Sequence, residues 1–302
     1  MSRAPAFIVL AHREPDQVAR LASRLAPHRV WLHVDAGAPA ERFARFCDAI
    51  DALPSVRLLP RHRSVWAGWG LVAAALEGVR AALGAPDGPP GHVMLLSGQD
   101  YPLRSAEAIG AFFAAHPDTT FLPHWKLPSS LWGRHGGMDR VRFRQVPWRG
   151  RRLVLPVPRR LPDGIAPYGG SMYWALSAAA ARELLAMCER RPELVGFYKR
   201  TWIPDEMFVP TLIMNSPARE RVADEALTYI RWPDPGGRHP ALLAADDLDP
   251  LLDAAQGPSD VGGRARAKLF ARKFDAAVAP EILDRLDAAA AATPGRRQAF
   301  IR

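Results

Sequence analysis

Residues 201–216 read TWIPDEMFVPTLIMNS and set two adjacent carboxylates, Asp205 and Glu206, at the mouth of a strongly apolar segment. That arrangement suits the making of a base. Pro204 fixes its own φ, directs Ile203 toward extended geometry, and opens the first turn of a helix whose free amides favour acidic partners. Burial among Trp202, Met207 and Phe208 raises a carboxyl pKa toward the range of a general base. On local chemistry alone the same pair also serves as the acidic complement of a helix start, and its two members are interchangeable.

Such a base needs a scaffold, and the first hundred residues supply the pattern of βαβ units that builds parallel sheet. Apolar runs at 7–10, 30–34, 56–59 and 92–97 are strand candidates, and helical spacing marks 16–25, 41–53 and 71–83. Ligands bind at the carboxyl ends of such strands. Four ends therefore converge: Ala11 with His12, Asp35, Arg61, and the turn 97–100 that ends in Asp100. Asp35 is placed to accept from a nucleoside or to cap a turn, and His12 to meet a ligand or a loop carbonyl. Trp66 and Trp69 read as packing residues beside a turn. In GGSMYWALS (169–177) a glycine pair meets a bulged, aromatic core strand, with Trp174 inside and Ser171 and Tyr173 as sugar contacts. The stretch 129–160, rich in Arg, Gly and Pro, reads as a long mobile insertion over the site. Its RGRR (149–152) and RR (159–160) suit equally an anionic acceptor, an anionic lipid surface or no ligand at all. Residues 280–293 form an amphipathic closing helix.

Taken in order, AFIVLAH, WLHVD, RHRSVWAGWGLV, LLSGQDYPLRS, GGSMYWALS, the PDE segment and LFARKFD resemble the Branch family of inverting glycosyltransferases. That family holds the core-2 and I-branching β-1,6-N-acetylglucosaminyltransferases and the peptide O-xylosyltransferases, and the resemblance, to a member of bacterial type, covers roughly residues 6–285. It implies an α/β, GT-A-like nucleotide-binding fold with a central, mostly parallel sheet flanked by helices. One glycosyltransferase domain is expected over 1–302, with a nucleotide-binding half at 1–125 and an acceptor and catalytic half at 126–302.

The resemblance also implies roles. Glu206 matches the catalytic glutamate, leaving Asp205 to position or cap, and Asp35 matches an aspartate that contacts the nucleoside. Lys273 in FARKFD and, more loosely, Arg238 in GGRHP match a basic pair that holds the diphosphate, with His239 or Arg231 as substitutes for Arg238. Trp232 matches a tryptophan that stacks on the acceptor sugar. Asp234 departs from the aromatic residue of the core-2 enzymes, which leaves the acceptor open. Where related nucleotide-sugar transferases carry Asp-x-Asp for a divalent metal, SGQDY offers Asp100 alone, so no metal and no cofactor are expected. The later DDLD (246–249) reads as the acidic first turn of a helix.

Forty basic against thirty-one acidic residues give a net charge of +9, which suits a nucleotide diphosphate, a nucleic acid or a membrane face. Two cysteines, Cys47 and Cys188, each within an apolar helical pattern, argue against a disulfide framework and a thiolate metal site. The apolar run at the start is about five residues, short of a signal or spanning segment, so a cytoplasmic protein is expected, with peripheral docking at the inner membrane left open. The resulting expectation is metal-independent, inverting transfer from a UDP-sugar, foremost UDP-N-acetylglucosamine with UDP-xylose as rival, to a saccharide hydroxyl. A basic nucleic-acid-binding protein is the alternative of another class, without a recognisable reading module. A sugar-binding homologue without catalysis is a third, opposed by the presence of Glu206 and Lys273.

Overall fold

Six consecutive buried residues, Ala6–Ala11, form β1, the spine of the fold. An unbroken apolar run of this length signals a strand covered on both faces. Phe7, Val9 and Ala11 face one core, Ala6, Ile8 and Leu10 the other. The computed structural model describes residues 4–148, 151–233, 240–257 and 267–292.

After β1 come α1 (Pro15–Leu25), β2 (Arg29–Val34), α2 (Ala40–Ile50), β3 (Val56–Leu58), α3 (Gly70–Leu83), β4 (His92–Ser97), β5 (Asp100–Pro102) and α4 (Ala106–Ala115). Next are β6 (Thr120–Phe121), β7 (His124–Lys126), α5 (Met138–Arg142), β8 (Phe143–Trp148), β9 (Arg151–Pro158), β10 (Tyr168–Gly170), β11 (Ala175–Ser177), α6 (Ala178–Arg190) and α7 (Pro192–Tyr198). The chain continues through α8 (Phe208–Met214), β12 (Val222–Ala223), β13 (Thr228–Ile230), α9 (Leu248–Gln256), β14 (Phe270–Arg272) and α10 (Pro280–Ala292).

The central sheet runs β12-β6-β11-β4-β1-β2-β3. β4, β1, β2 and β3 are parallel neighbours, as are β12 and β6, while β11 is antiparallel to β4 and β6. The α/β expectation of a mostly parallel sheet flanked by helices is met, and strands from both sides of residue 125 share it. Residues of α1, α2, α9 and α10 pack on one face, and residues of α3, α6 and α8 on the other. Close approach has a local cause: a Cβ at Gly78 would stand 2.7 Å from the Ile8 side chain, so glycine lets α3 settle on β1. A second sheet, β13-β14-β5, sets Arg272 opposite Asp100.

Three local expectations are corrected. GGSMYWALS is two strands in different sheets, β10 pairing with β7 and β11 with β4, although Trp174 is buried as expected. The stretch 129–160 carries α5 and the antiparallel pair β8–β9, where the strand-favouring Val146 and Val154 stand on the two partners. Finally, Ile203 is left-handed, φ 51° and ψ 59°, not extended, and Pro204–Glu206 is a 3-10 turn that breaks at Met207 before α8 begins. Tertiary contacts override the proline's preference: the Ile203 amide donates to the Ala67 carbonyl at 3.1 Å, and Ala67 is itself left-handed at φ 62°. Non-glycine residues in this region cost on the order of 1–3 kcal/mol each. Edge-to-face contacts of Trp66 with Trp202 (5.4 Å) and Trp69 with Phe208 (5.0 Å) hold the two loops together.

Candidate active site

Parallel register brings the strand ends together. The Asp35 amide donates to the Ala11 carbonyl at 2.9 Å, and the Gly98 amide to the Leu10 carbonyl at 2.9 Å, so 11–12, 35 and 97–100 line one edge. A Cβ at Gly98 would meet Val18 at 2.7 Å, and glycine here allows α1 to close beneath the turn. The Gln17 amide nitrogen donates to the carbonyls of Gly98 (2.8 Å) and Phe274 (3.3 Å), stitching the turn to the segment after β14.

At this edge the Asp35 carboxylate accepts from the Gly37 amide and from the Ser64 amide at 3.0 Å. The turn-capping role is therefore realised, with acceptor capacity left on both oxygens. Arg61 Nε and Nη2 donate to the carbonyls of Val34, Asp35 and Ala38, and the guanidinium lies 4.2 Å from the Phe43 ring centre, so it shapes the Asp35 loop. His12 is more than a third exposed, yet its pKa is lowered, first by partial loss of water and then by Arg13, with Asp35 opposing and Lys273 and Arg42 adding repulsion. Lys273 is lowered by burial and then by Arg13 and Arg272, with Asp275 opposing. His12, Arg13, Arg42, Asp35 and Lys273 thus share one electrostatic neighbourhood with an excess of positive charge. Arg13, fixed by Asp275 at 2.9 Å, had no distinguishing signal in the sequence.

Toward the second pole, fully buried Asp100 is raised by burial and opposed by Arg272, whose Nε lies 3.1 Å from Oδ1. Those two atoms are close as charges but not aligned for a hydrogen bond, whereas the other Asp100 oxygen accepts from the Ser97 amide. Asp100 thereby ties the 97–100 turn to β14. The Arg272 guanidinium lies 4.1 Å from the centre of the Tyr173 ring. Tyr173 is pushed up to about 12 by burial, opposed by Arg272, and it feels the fields of both Asp100 and Asp205. Ser171 Oγ accepts from the Tyr173 amide at 3.0 Å, so Ser171 orients the loop carrying the phenol.

At this pole, the Asp205 carboxyl is pushed up to about 7 by burial and then by Glu206, and its Oδ1 has no hydrogen-bond partner. Glu206, 37% exposed at its side chain, receives Arg140 Nη1 at 3.0 Å. Arg140 in turn lies 4.1 Å from the centre of the Trp132 ring, which braces it. No residue pattern singles Arg140 out, because it reaches the pair from α5 across 66 residues of chain. Raised above its unfolded value, Asp205 keeps a proton in the folded state from about pH 4 to about pH 7 that the unfolded chain has released. Stability therefore falls as pH rises through that window. Asp205→Asn, which cannot ionise, should gain roughly 2–4 °C in melting temperature relative to the parent at about pH 8 and little at about pH 5. Equal shifts at both values would contradict the burial of a titrating carboxyl.

Trp232 is 52% exposed, just beyond β13. Arg238, His239 and Asp234 lie outside the described residues. Arg231 is directed elsewhere, to Asp247 at 3.2 Å and the Leu242 carbonyl at 2.9 Å. DDLD spans a 3-10 turn and the start of α9, with Asp247 accepting from the Ala244 amide, as an acidic helix start should. Among the described residues no group of three or more His, Cys, Asp or Glu is placed to hold a metal ion, and no helix is long and apolar enough to cross a membrane. Cys47 and Cys188 are free.

Comparison with known proteins follows the same residues. A family profile described as Core-2/I-Branching enzyme matches residues 6–251. Xylosyltransferase 1 of Canis lupus familiaris is 28% identical over 295 residues, covering 93% of this chain and 30% of the relative. Xylosyltransferase 1 of Homo sapiens is 28% identical over 290 residues, again 93% and 30%, and xylosyltransferase 2 of Rattus norvegicus is 27% identical over 290 residues, 93% and 33%. The chain thus spans about a third of the length of these curated relatives. Mouse xyloside xylosyltransferase 1, in its apo form, aligns over 88% of this chain and 97% of its own with TM-score 0.39 and 13% identity.

Proposed function

The chain belongs to the Core-2/I-branching enzyme family, and on that footing we propose that it transfers a sugar from a UDP-sugar to a saccharide hydroxyl with inversion. The reading is carried by one observation: an acidic pair, Asp205 and Glu206, is linked through Tyr173 and Arg272 to a cluster of cations around Lys273. Glu206 takes the proton of the acceptor hydroxyl, the oxygen attacks the anomeric carbon, and the bond to UDP breaks on the opposite face. Negative charge collects on the departing diphosphate, where Lys273 and Arg13 stand, with Arg238 as the further cation from the sequence. Asp35 and His12 meet the nucleoside, Tyr173 and Trp232 the sugars. No metal takes part in this reading, since Asp100 is engaged by Arg272 and the Ser97 amide and cations occupy the donor side.

A second assignment of the base rests on a specific feature. Asp205, with its pKa near 7 and an unpartnered Oδ1, matches the working range of a general base better than a glutamate held by arginine. Glu206 is preferred because Asp205 is the more enclosed of the two, and the variants discussed below separate them. For the donor, UDP-N-acetylglucosamine was the expectation from resemblance with UDP-xylose as rival, and relatives named xylosyltransferases support UDP-xylose. A transfer assay with both donors and a panel of saccharide and peptide acceptors tests this. Faster turnover with UDP-xylose is expected; turnover with neither donor, and no thermal stabilisation by UDP, would remove the reading.

A further inference from the structure

Residues 142–160 hold seven arginines, at 142, 144, 149, 151, 152, 159 and 160, and no aspartate or glutamate. Inside this stretch β8 and β9 pair with each other and with no other described strand. Arg144 is opposite Leu155, Gln145 opposite Val154 and Val146 opposite Leu153. Leu153 and Leu155 lie on one side of the ribbon and Val154 on the other, and the register shifts between Phe143 and Arg144, where β9 carries extra residues. Leu153 is 40% exposed, Val157 49%, and Phe143 and Val154 are 39% and 44% exposed.

A two-stranded ribbon standing alone in water is marginal, and a cluster of open apolar side chains on it marks a surface made for contact. Its root is firm. The Arg159 amide donates to the Arg142 carbonyl at 2.7 Å, and the Arg159 guanidinium donates to the Phe197 and Arg200 carbonyls and to Thr201 Oγ1 while lying 3.9 Å from the centre of the Phe197 ring. Arg159 is therefore an anchor, lowered to about 10 by burial and then by Arg200, and the ribbon projects from a fixed base.

We propose that the β8–β9 ribbon is a docking arm for an anionic lipid surface: its open apolar side chains enter the headgroup layer, and the exposed Arg142, Arg144 and Arg160 meet lipid phosphates. Charge complementarity selects a polyanion, since no carboxylate within 142–160 relieves the field. The open leucine and valines then select among polyanions. They gain nothing from RNA or an acidic glycan, and they leave water when the partner is a bilayer. The arm begins three residues after Arg140, the partner of Glu206. The docking inference stands apart from the sugar-transfer reading.

Co-sedimentation of the full chain with phosphatidylcholine vesicles, and with vesicles also containing phosphatidylglycerol, tests it. Binding to the anionic vesicles alone is expected. The Leu153→Ser/Val157→Ser pair and the Arg144→Glu/Arg160→Glu pair should each weaken that binding about tenfold or more, with the parent's circular dichroism and melting temperature retained. Absence of binding to anionic vesicles overturns the proposal. So does binding that survives both pairs of changes, or that depends on the arginines alone and is equally strong on heparin, which would assign the arm to a soluble polyanion.

Discussion

Glu206→Gln is expected to lower the transfer rate about a thousandfold, within the range that a positioned general base contributes. The amide keeps the shape of the side chain and an oxygen for Arg140, which now sits 3.0 Å from the carboxylate, so the local fold should persist. It has no useful affinity for the acceptor's proton, and the loss should fall on kcat rather than KM. UDP affinity should stay within about twofold, because the cations around Lys273 are untouched. Asp205→Asn provides the contrast: with Glu206 as base it should cost clearly less than Glu206→Gln. A reversed order would move the base to Asp205, and wild-type turnover in both would remove the acidic pair from the chemistry.

Lys273→Ala should weaken UDP binding by about 10–100-fold, the usual scale for removing a partly buried cation from a charged ligand. The free protein holds this ammonium at some cost, since burial, Arg13 and Arg272 all lower its pKa. An incoming diphosphate relieves that repulsion and raises the pKa again. Two consequences are measurable by calorimetry. Affinity should decline with rising pH earlier than an ordinary lysine would allow, and the alanine variant should lose little thermal stability without ligand, because a repulsive neighbour has gone. An unchanged titration curve would exclude a phosphate role for Lys273.

The parallel strands were readable because their chemistry is local: β1 and β4 are apolar without interruption, as strands buried on both faces must be, and each ends at a polar turn. The places of Asp35 and Lys273, each directly after a strand, were readable for the same reason. Arg140 was not, since its role arises only when α5 folds back onto a turn far along the chain. Ile203 misled because Pro204 does favour an extended predecessor, and the bond to the Ala67 carbonyl with the surrounding tryptophans outweighs that preference. The β8–β9 ribbon hid behind its arginines and prolines, which read as loop, while the apolar residues 153–155 of β9 run on without the alternation that marks a strand. Arg61 was readable as a group at the converging strand ends, but not its support of the Asp35 loop through backbone carbonyls, which only the fold brings within reach.

The central claim is that fixed cations, without a bound metal ion, stabilise the departing UDP while one carboxylate activates the incoming alcohol. Its most direct test is the transfer rate of the unaltered protein, with its preferred UDP-sugar, before and after exhaustive treatment with EDTA. The account predicts the same rate in both; complete loss in chelator, restored by Mn²⁺, would contradict it.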